Sequence, residues 1–271
     1  MVKNFETIIW EKVEDIGILT LNRPDRFNAV NDTLVREVFS VVDGLNKDDS
    51  IRALIITGAG DKAFCAGADV KKDDQALEWD KDTAPPEAFL QGYRDSVVPL
   101  MCGLQGLKIP TIAAINGLAI GMGCDLTLSC DIRIACENTR VASIWIKRGV
   151  IPAAGGFWLW PRIVGLGRAL DIIFSGRFIE AEEGEKIGVF NKVVPAHSLR
   201  MEALKMAKSY TANPPIAIKL AKMMVYRGLN MEFRTGVELA GAVQTVAHLT
   251  EDRNEAMNAW REKRQPKFKG R

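Results

Sequence analysis

Asn116-Gly117-Leu118-Ala119-Ile120-Gly121-Met122-Gly123-Cys124-Asp125 is the stretch on which the fold of this chain turns. It follows an apolar run, Thr111 to Ile115, that reads as a buried strand, and it leads into a short apolar helix expected over Gly121 to Ser129. Glycine lets a backbone turn tightly and approach a ligand closely. The amides of a helix's first turn have no intrahelical acceptor and carry partial positive charge, so such a turn can hold an oxyanion. Asp125 stands three residues beyond Met122, within reach of atoms bonded to the carbon of that oxyanion. The same residue also suits a plainer task, complementing the helix dipole.

A second small-residue turn lies upstream, Gly58-Ala59-Gly60-Asp61-Lys62-Ala63-Phe64-Cys65-Ala66-Gly67-Ala68-Asp69-Val70, again directly after a buried apolar run, Ala53 to Thr57. Its opening imitates the dinucleotide fingerprint GxGxxA. The expected helix does not follow, because the chain meets Phe64-Cys65 and a further turn, so a Rossmann reading fails. Ala66-Gly67-Ala68 instead reads as a turn kept small so that a ligand can lie against free amides.

Working outward, Ile8 to Val13 and Ile16 to Thr20 read as a hairpin turning at Glu14 and Asp15. Asn31 or Asp32 caps a helix whose buried face is Leu34, Val38, Val41, Val42 and Leu45. Lys71 to Glu87 is polar and acidic, ends in Pro85-Pro86, and reads as a loop before a helix through Phe89, Val97, Leu100 and Leu104. Ile132 to Cys136 and Arg140 to Ser143 are expected to be extended. After Pro161 helical patterns dominate: Gly167 to Phe174, Ala181 to Gly188, then a strand over Val189 to Val194 and a helix over Ser198 to Ala212. The last sixty residues read as helical throughout, with a start signal at Asn213-Pro214-Pro215, a cap at Thr250, and a packing face of Ala256, Met257 and Trp260. Strand–helix alternation over 1–212 followed by helices over 213–271 defines an α/β core and a C-terminal helical subdomain.

Composition narrows the classes. The 36 basic and 34 acidic residues of this 271-residue chain are spread evenly, so no broad basic face for nucleic acid is expected. No segment approaches the roughly 18 consecutive apolar residues of a membrane span, and Met1 to Trp10 has no secretory pattern; a soluble, cytoplasmic protein is expected. Five cysteines without a CxxC pair suggest neither a disulfide framework nor a zinc ribbon, and no metal site is expected. His197 and His248 have no partners at ligand spacing. No GxSxG, GxxxxGK[ST] or HExxH motif is present.

The two small-residue segments, together with Asn22-Arg23-Pro24-Asp25-Arg26-Phe27-Asn28-Ala29 and Ile151-Pro152-Ala153-Ala154-Gly155-Gly156, closely resemble the enoyl-CoA hydratase/isomerase (crotonase) family in order and spacing. The resemblance extends to the ending Lys263-Arg264-Gln265-Pro266-Lys267-Phe268. It implies a spiral of strand-strand-helix repeats and a C-terminal helical region used for trimer formation, with a homotrimer or homohexamer as the assembly. It also implies a coenzyme A thioester as substrate, with coenzyme A entering only as part of that substrate and no permanently bound cofactor. The thioester oxygen would rest between the amides of Ala68 and Met122, each such donor contributing roughly 3 kcal/mol to the transition state. Arg26, Ala66, Ala68, Asp69 and Val70 would lie along the coenzyme, with Lys267 and Phe268 closing over it. Lys71-Lys72 would face solvent or assist with its phosphates.

Hydratases of this family use two glutamates; the first position is Asp125 here, and the second falls on Trp145. An indole N–H donates a hydrogen bond but cannot shuttle a proton. Asp is about 1.5 Å shorter than Glu, one methylene, which leaves room for a bulky or cyclic acyl group against which Trp145 could pack. Branches that place a catalytic aspartate just after Ile-Pro, or eight residues past the Trp position, would need it at Ala153, which argues against dienoyl-CoA isomerase-like, some enoyl-CoA isomerase-like and aryl-CoA dehalogenase-like chemistry. The expected function is a lyase adding or removing water on an acyl-CoA of fatty or aromatic acid metabolism, with Asp125 as acid/base. The alternatives are a double-bond isomerase, a C–C hydrolase or decarboxylase, and a catalytically silent coenzyme A-binding or assembly protein.

Overall fold

The computed structural model describes residues 2–70 and 85–271. Alternation along the strands decides the layering, because successive side chains of a strand point to opposite faces. In β3 (Ile16–Leu21), β4 (Ala53–Gly58), β6 (Thr111–Ile115) and β8 (Ile132–Cys136) one set of residues, including Leu19, Leu21, Leu54, Ile56, Ala113 and Ile115, enters the larger core. The alternate set, including Ile16, Ile18, Ala53, Ile55, Ile112 and Ile134, packs on the other face against Leu199, Ala203 and Ala207. The seven-stranded sheet has the order β1-β2-β3-β4-β6-β8-β11, with β1 at Val2–Asn4, β2 at Ile8–Val13 and β11 at Lys192–Val194. From β3 to β11 its strands are parallel, and both faces are therefore apolar.

A second sheet, β10-β9-β7-β5, is made of three-residue strands: β5 (Ala63–Cys65), β7 (Leu118–Ile120), β9 (Arg140–Ala142) and β10 (Phe178–Glu180). Each pass of the chain crosses the large sheet, then the small one, then a helix. After β4 and β5 come α2 (Pro86–Gly92) and α3 (Val98–Gln105); after β6 and β7, α4 (Met122–Ser129); after β8 and β9, α5 (Gly156–Val164) and α6 (Leu166–Ser175). This is the expected strand-strand-helix spiral. The helix before β4, α1 (Asp32–Leu45), is capped by Asn31, whose side chain accepts from Leu34 N. The sheet face opposite the larger core is covered by α8 (Leu199–Thr211), which follows α7 (Ala181–Lys186).

Several expectations are corrected. The loop expected through Glu87 gives way to helix at Pro86, proline being suited to a first helical position; residues 71–84, including Lys71 and Lys72, lie outside the described residues. Helix α5 starts before Pro161 and contains it. The strand expected from Val189 is confined to Lys192–Val194. The C-terminal helices α9 (Pro215–Gly228), α10 (Phe233–His248) and α11 (Glu251–Glu262) end at Lys263, whose backbone is left-handed, and the tail beyond is irregular. Trp260, expected on the packing face of α11, is 76% exposed, while Asp252 and Ala259 are the residues buried there. All five cysteines are free thiols, and Cys102 alone among them is exposed.

No residue of α9 or α10 is buried, so the large-core hydrophobic effect does not hold these helices to the spiral. A polar knot does. Asp131 accepts from Thr111 N at 2.8 Å and from Lys222 Nζ at 2.7 Å on one oxygen, and from the Tyr226 hydroxyl at 2.8 Å on the other. Removing a buried partner from such a network leaves the remaining charge uncompensated. Asp131→Ala should therefore cost about 3 kcal/mol in urea unfolding, where an unchanged midpoint would show that the knot holds nothing.

Candidate active site

Gly67, at φ 94°, brings the two small-residue segments together. A Cβ on that residue would stand 2.8 Å from the Ile120 carbonyl oxygen and 3.6 Å from Met122 N, so the turn fits against the start of α4 only as glycine. The turn itself is held by Val30: Val30 N donates to Gly67 O, and Asp69 N donates to Val30 O, both at 2.8 Å. Ala68 N, between them, makes no hydrogen bond among the described residues, and neither does Met122 N, the first amide of α4. Two unsatisfied donors on adjacent backbones form a site that can take an anion.

Asp125 sits one turn into α4, its own amide donating to Gly121 O at 2.9 Å. Its carboxyl has no accessible surface. The facing wall is Gly156, which opens α5; a Cβ there would lie 2.5 Å from Asp125 Oδ1, so any larger residue would occupy the carboxyl's space. Burial pushes the Asp125 pKa up to about 8, against the opposing pull of the Trp145 indole and the Gly156 amide. Neither N–H closes a hydrogen bond of standard geometry, and both carboxyl oxygens and Trp145 Nε1 remain without a partner. Trp145 is half-buried in the 3₁₀ turn Ile144–Arg148, on the Gly121 side. A buried, partnerless acid poised near neutrality is suited to exchanging protons with a substrate.

The residues expected along a coenzyme divide into two groups. Ala66 and Ala68 are half-exposed on the turn, and Val70 is exposed beside them. Arg26 and Asp69 are joined to each other: Arg26 Nε lies 3.5 Å from Asp69 Oδ2, and Arg23 Nη2 lies 2.9 Å from it, with Asp69 only 4% exposed. Arg23, not singled out in the sequence, is the stronger partner. Asn28 completes the latch, its amide donating to Ala59 O and Ala63 O from a left-handed backbone at φ 55°. Lys267 and Phe268 are not brought to this turn; their tail is held by Lys267 N to Glu255 and Lys269 N to Asp252. His197 and His248 are exposed.

An apolar groove of about 340 Å³ reaches α4 at Ser129 and is lined by Tyr93, Val97, Met101, Ala153 to Gly155, Trp158 and Leu159 among others. Trp158 is clamped from behind by Arg162, 3.7 Å above its ring, and Arg162 also reaches Asn230. Tyr93 is the functional candidate that sequence reading missed. Its hydroxyl is buried, and burial together with the charge of Asp125 raises its pKa above the usual phenol value. Tyr93 stands four residues from Phe89 and four from Val97, so the helical spacing that pointed to those two was a signal that could have found it.

A spiral α/β scaffold presenting two unpaired amides beside one buried carboxyl is chemically suited to proton transfer next to a developing anion. Comparisons with known proteins agree with that class. The enoyl-CoA hydratase/isomerase family model matches residues 11–271, and the chain belongs to this family. It is 35% identical to the short-chain-enoyl-CoA hydratase of Clostridium acetobutylicum, over 95% of each chain. It is 33% identical to the crotonyl-CoA hydratase of Syntrophomonas wolfei, over 97% of this chain and 98% of the relative. The crystal structure of an enoyl-CoA hydratase from Bacillus anthracis superposes with a TM-score of 0.92 at 34% identity, over 98% of this chain and 100% of that one.

The raised pKa of Asp125 has a consequence for stability. An unfolded aspartate titrates near about 3.9, so the folded state holds its proton more tightly. That contribution is complete below about pH 4 and is lost as pH rises to about 8. Asp125→Asn, which cannot ionise, should therefore gain melting temperature relative to the parent between those limits and run parallel to it above them. Parallel melting curves across the whole range would mean that Asp125 is already ionised in the folded state.

Proposed function

We propose that this protein is an enoyl-CoA hydratase whose single proton-transfer group is Asp125. The observation that carries the reading is the pairing of that buried carboxyl with the free amides of Ala68 and Met122 on the scaffold of this family. In this reading a 2-enoyl thioester places its carbonyl oxygen between the two amides. The Asp125 carboxylate takes a proton from water as the water oxygen bonds to the β-carbon, and the displaced electron pair becomes an enolate held by the amides. Protonated Asp125 then returns the proton to the α-carbon. Atoms balance with one carboxyl, since the proton taken from water is the proton delivered to carbon. The Trp145 N–H steadies the carboxylate between the two transfers and carries no proton itself.

The groove supports an apolar, bulky or cyclic acyl group. Its wall at Ala154 and Gly155 is continuous with Gly156, the residue against the carboxyl, so an acyl group lying there presents its α- and β-carbons to Asp125. Coenzyme A enters as part of the substrate, across Ala66 to Val70, and no permanent cofactor is required. A cytoplasmic location and a homotrimer or homohexamer complete the proposal. Among the described residues no helix is long and apolar enough to cross a membrane. Assembly is supported by exposed apolar residues such as Phe233 at 84%, Leu249 at 82% and Phe174 at 69%, more than a lone subunit gains by exposing. Light scattering after gel filtration should give three or six times the 29.9 kDa chain mass, and a monomer would refute the assembly.

The activity is tested by incubating the protein with linear, branched, aromatic and cyclic enoyl-CoA thioesters in H₂¹⁸O and weighing the products. The expected product gains one water with the label retained, and Asp125→Asn loses at least about 100-fold in rate. An isomer of unchanged mass would instead make the enzyme a double-bond isomerase, a reaction that also needs only one carboxyl.

A further inference from the structure

Trp145 leaves one task without an owner. Water must be turned so that a lone pair, and not a hydrogen, faces the β-carbon, and one carboxylate fixes only one of its two hydrogens. The second acceptor has to come from a different element.

Two residues, Cys124 and Tyr93, have a pKa raised first by burial and further by the charge of Asp125, which places both near that carboxyl. Cys124 is fully buried in the same helix and lines no part of the groove. Tyr93 comes from the opposite wall. It opens the π-turn between α2 and α3, where Val98 N donates to the Tyr93 carbonyl, and such single wide turns re-aim a side chain at functional sites. Its ring is stacked on Phe89 at 6.0 Å, and its hydroxyl oxygen is buried. The groove it lines includes Gly155, the chain neighbour of Gly156, whose missing side chain leaves the space Asp125 Oδ1 occupies. The groove's Ser129 hydroxyl donates to the main-chain oxygen of Asp125 itself, at 2.9 Å, so groove and carboxyl share a helix.

Resting on the hydratase reading, we infer that Tyr93 is a second catalytic residue, whose phenolic oxygen accepts the second hydrogen of the attacking water and later holds the β-hydroxyl of the product. Water then donates one hydrogen to Asp125 and one to Tyr93, which leaves its lone pair pointing at the β-carbon. Tyr93 keeps its own proton throughout. It orients, while Asp125 transfers, and the bond balance of the reaction is unchanged.

This division of labour separates two reactions of one site. Exchange of α-hydrogens on a saturated thioester needs the amide pair and Asp125 but no attacking water, whereas hydration needs all of them. The experiment compares the parent, Tyr93→Phe and Asp125→Asn in two assays. One is deuterium exchange at the α-carbon of cyclohexanecarbonyl-CoA and butanoyl-CoA in D₂O, with their dissociation constants measured by calorimetry. The other is hydration of whichever enoyl-CoA the parent turns over fastest. Tyr93→Phe should keep both dissociation constants and the exchange rate within about threefold while hydration kcat falls about 100-fold, the scale of losing orientation at a reacting atom. Loss of exchange and hydration together, or hydration within threefold of the parent, would overturn the assignment. A parent that exchanges α-hydrogens but hydrates nothing would instead overturn the hydratase reading on which it rests.

Discussion

Enclosing a carboxyl group without a hydrogen-bond partner costs free energy that increases as the pH rises above its ordinary pKa, and this molecule accepts that cost at Asp125. Much of the surrounding architecture serves that enclosure. Gly156 leaves the volume the carboxyl occupies, and the first turns of α4 and α5 converge on it. Two N–H groups point toward it without neutralising it. A closed hydrogen bond from either would hold the carboxylate in its charged form and leave a weaker base. The site is strained electrostatically, and the rest of the spiral must be stable enough to hold it.

That stability comes from the parallel strands, whose alternating residues fill two cores at once, and from polar latches at the edges. Arg23, Asn28 and Asp69 fasten the Gly58 to Asp69 turn to the preceding segment, which sets Ala68 N beside Met122 N. The motif around Asn22 to Ala29 is therefore first a structural clasp. Its arginines are already engaged by a buried carboxylate, so a coenzyme would meet their edges and the backbone of the turn, not free guanidinium groups.

The fold was legible wherever a pattern was long enough to repeat. The hairpin at Ile8 to Leu21, the capped helix after Asn31 and the apolar strands over Ala53, Thr111 and Ile132 all span five residues or more. Of the second sheet only β9 was legible, as the extended run from Arg140, because strands of three residues show no alternation to read. Asp125, Met122 and Ala68 could be named from glycine spacing and family resemblance, since backbone donors at a helix start are tied to sequence position. Tyr93 was passed over although it shares the helical spacing of Phe89 and Val97, because no motif or family position marks it. Trp260 misled for a different reason: its apolar side chain is exposed on the single chain, as an assembly surface would be.

In the proposed mechanism, with Trp145 where a second carboxylate would stand, proton traffic converges on one group, and its ionisation should govern catalysis in both directions. The decisive measurement is the pH dependence of kcat/KM for the best thioester substrate, from pH 3 to 10. A single limb rising tenfold per pH unit and levelling near pH 8, where burial sets the Asp125 pKa, is the expected result. A bell-shaped profile with its acid limb near pH 4 would contradict it, showing an ordinary carboxylate working beside a second titrating group.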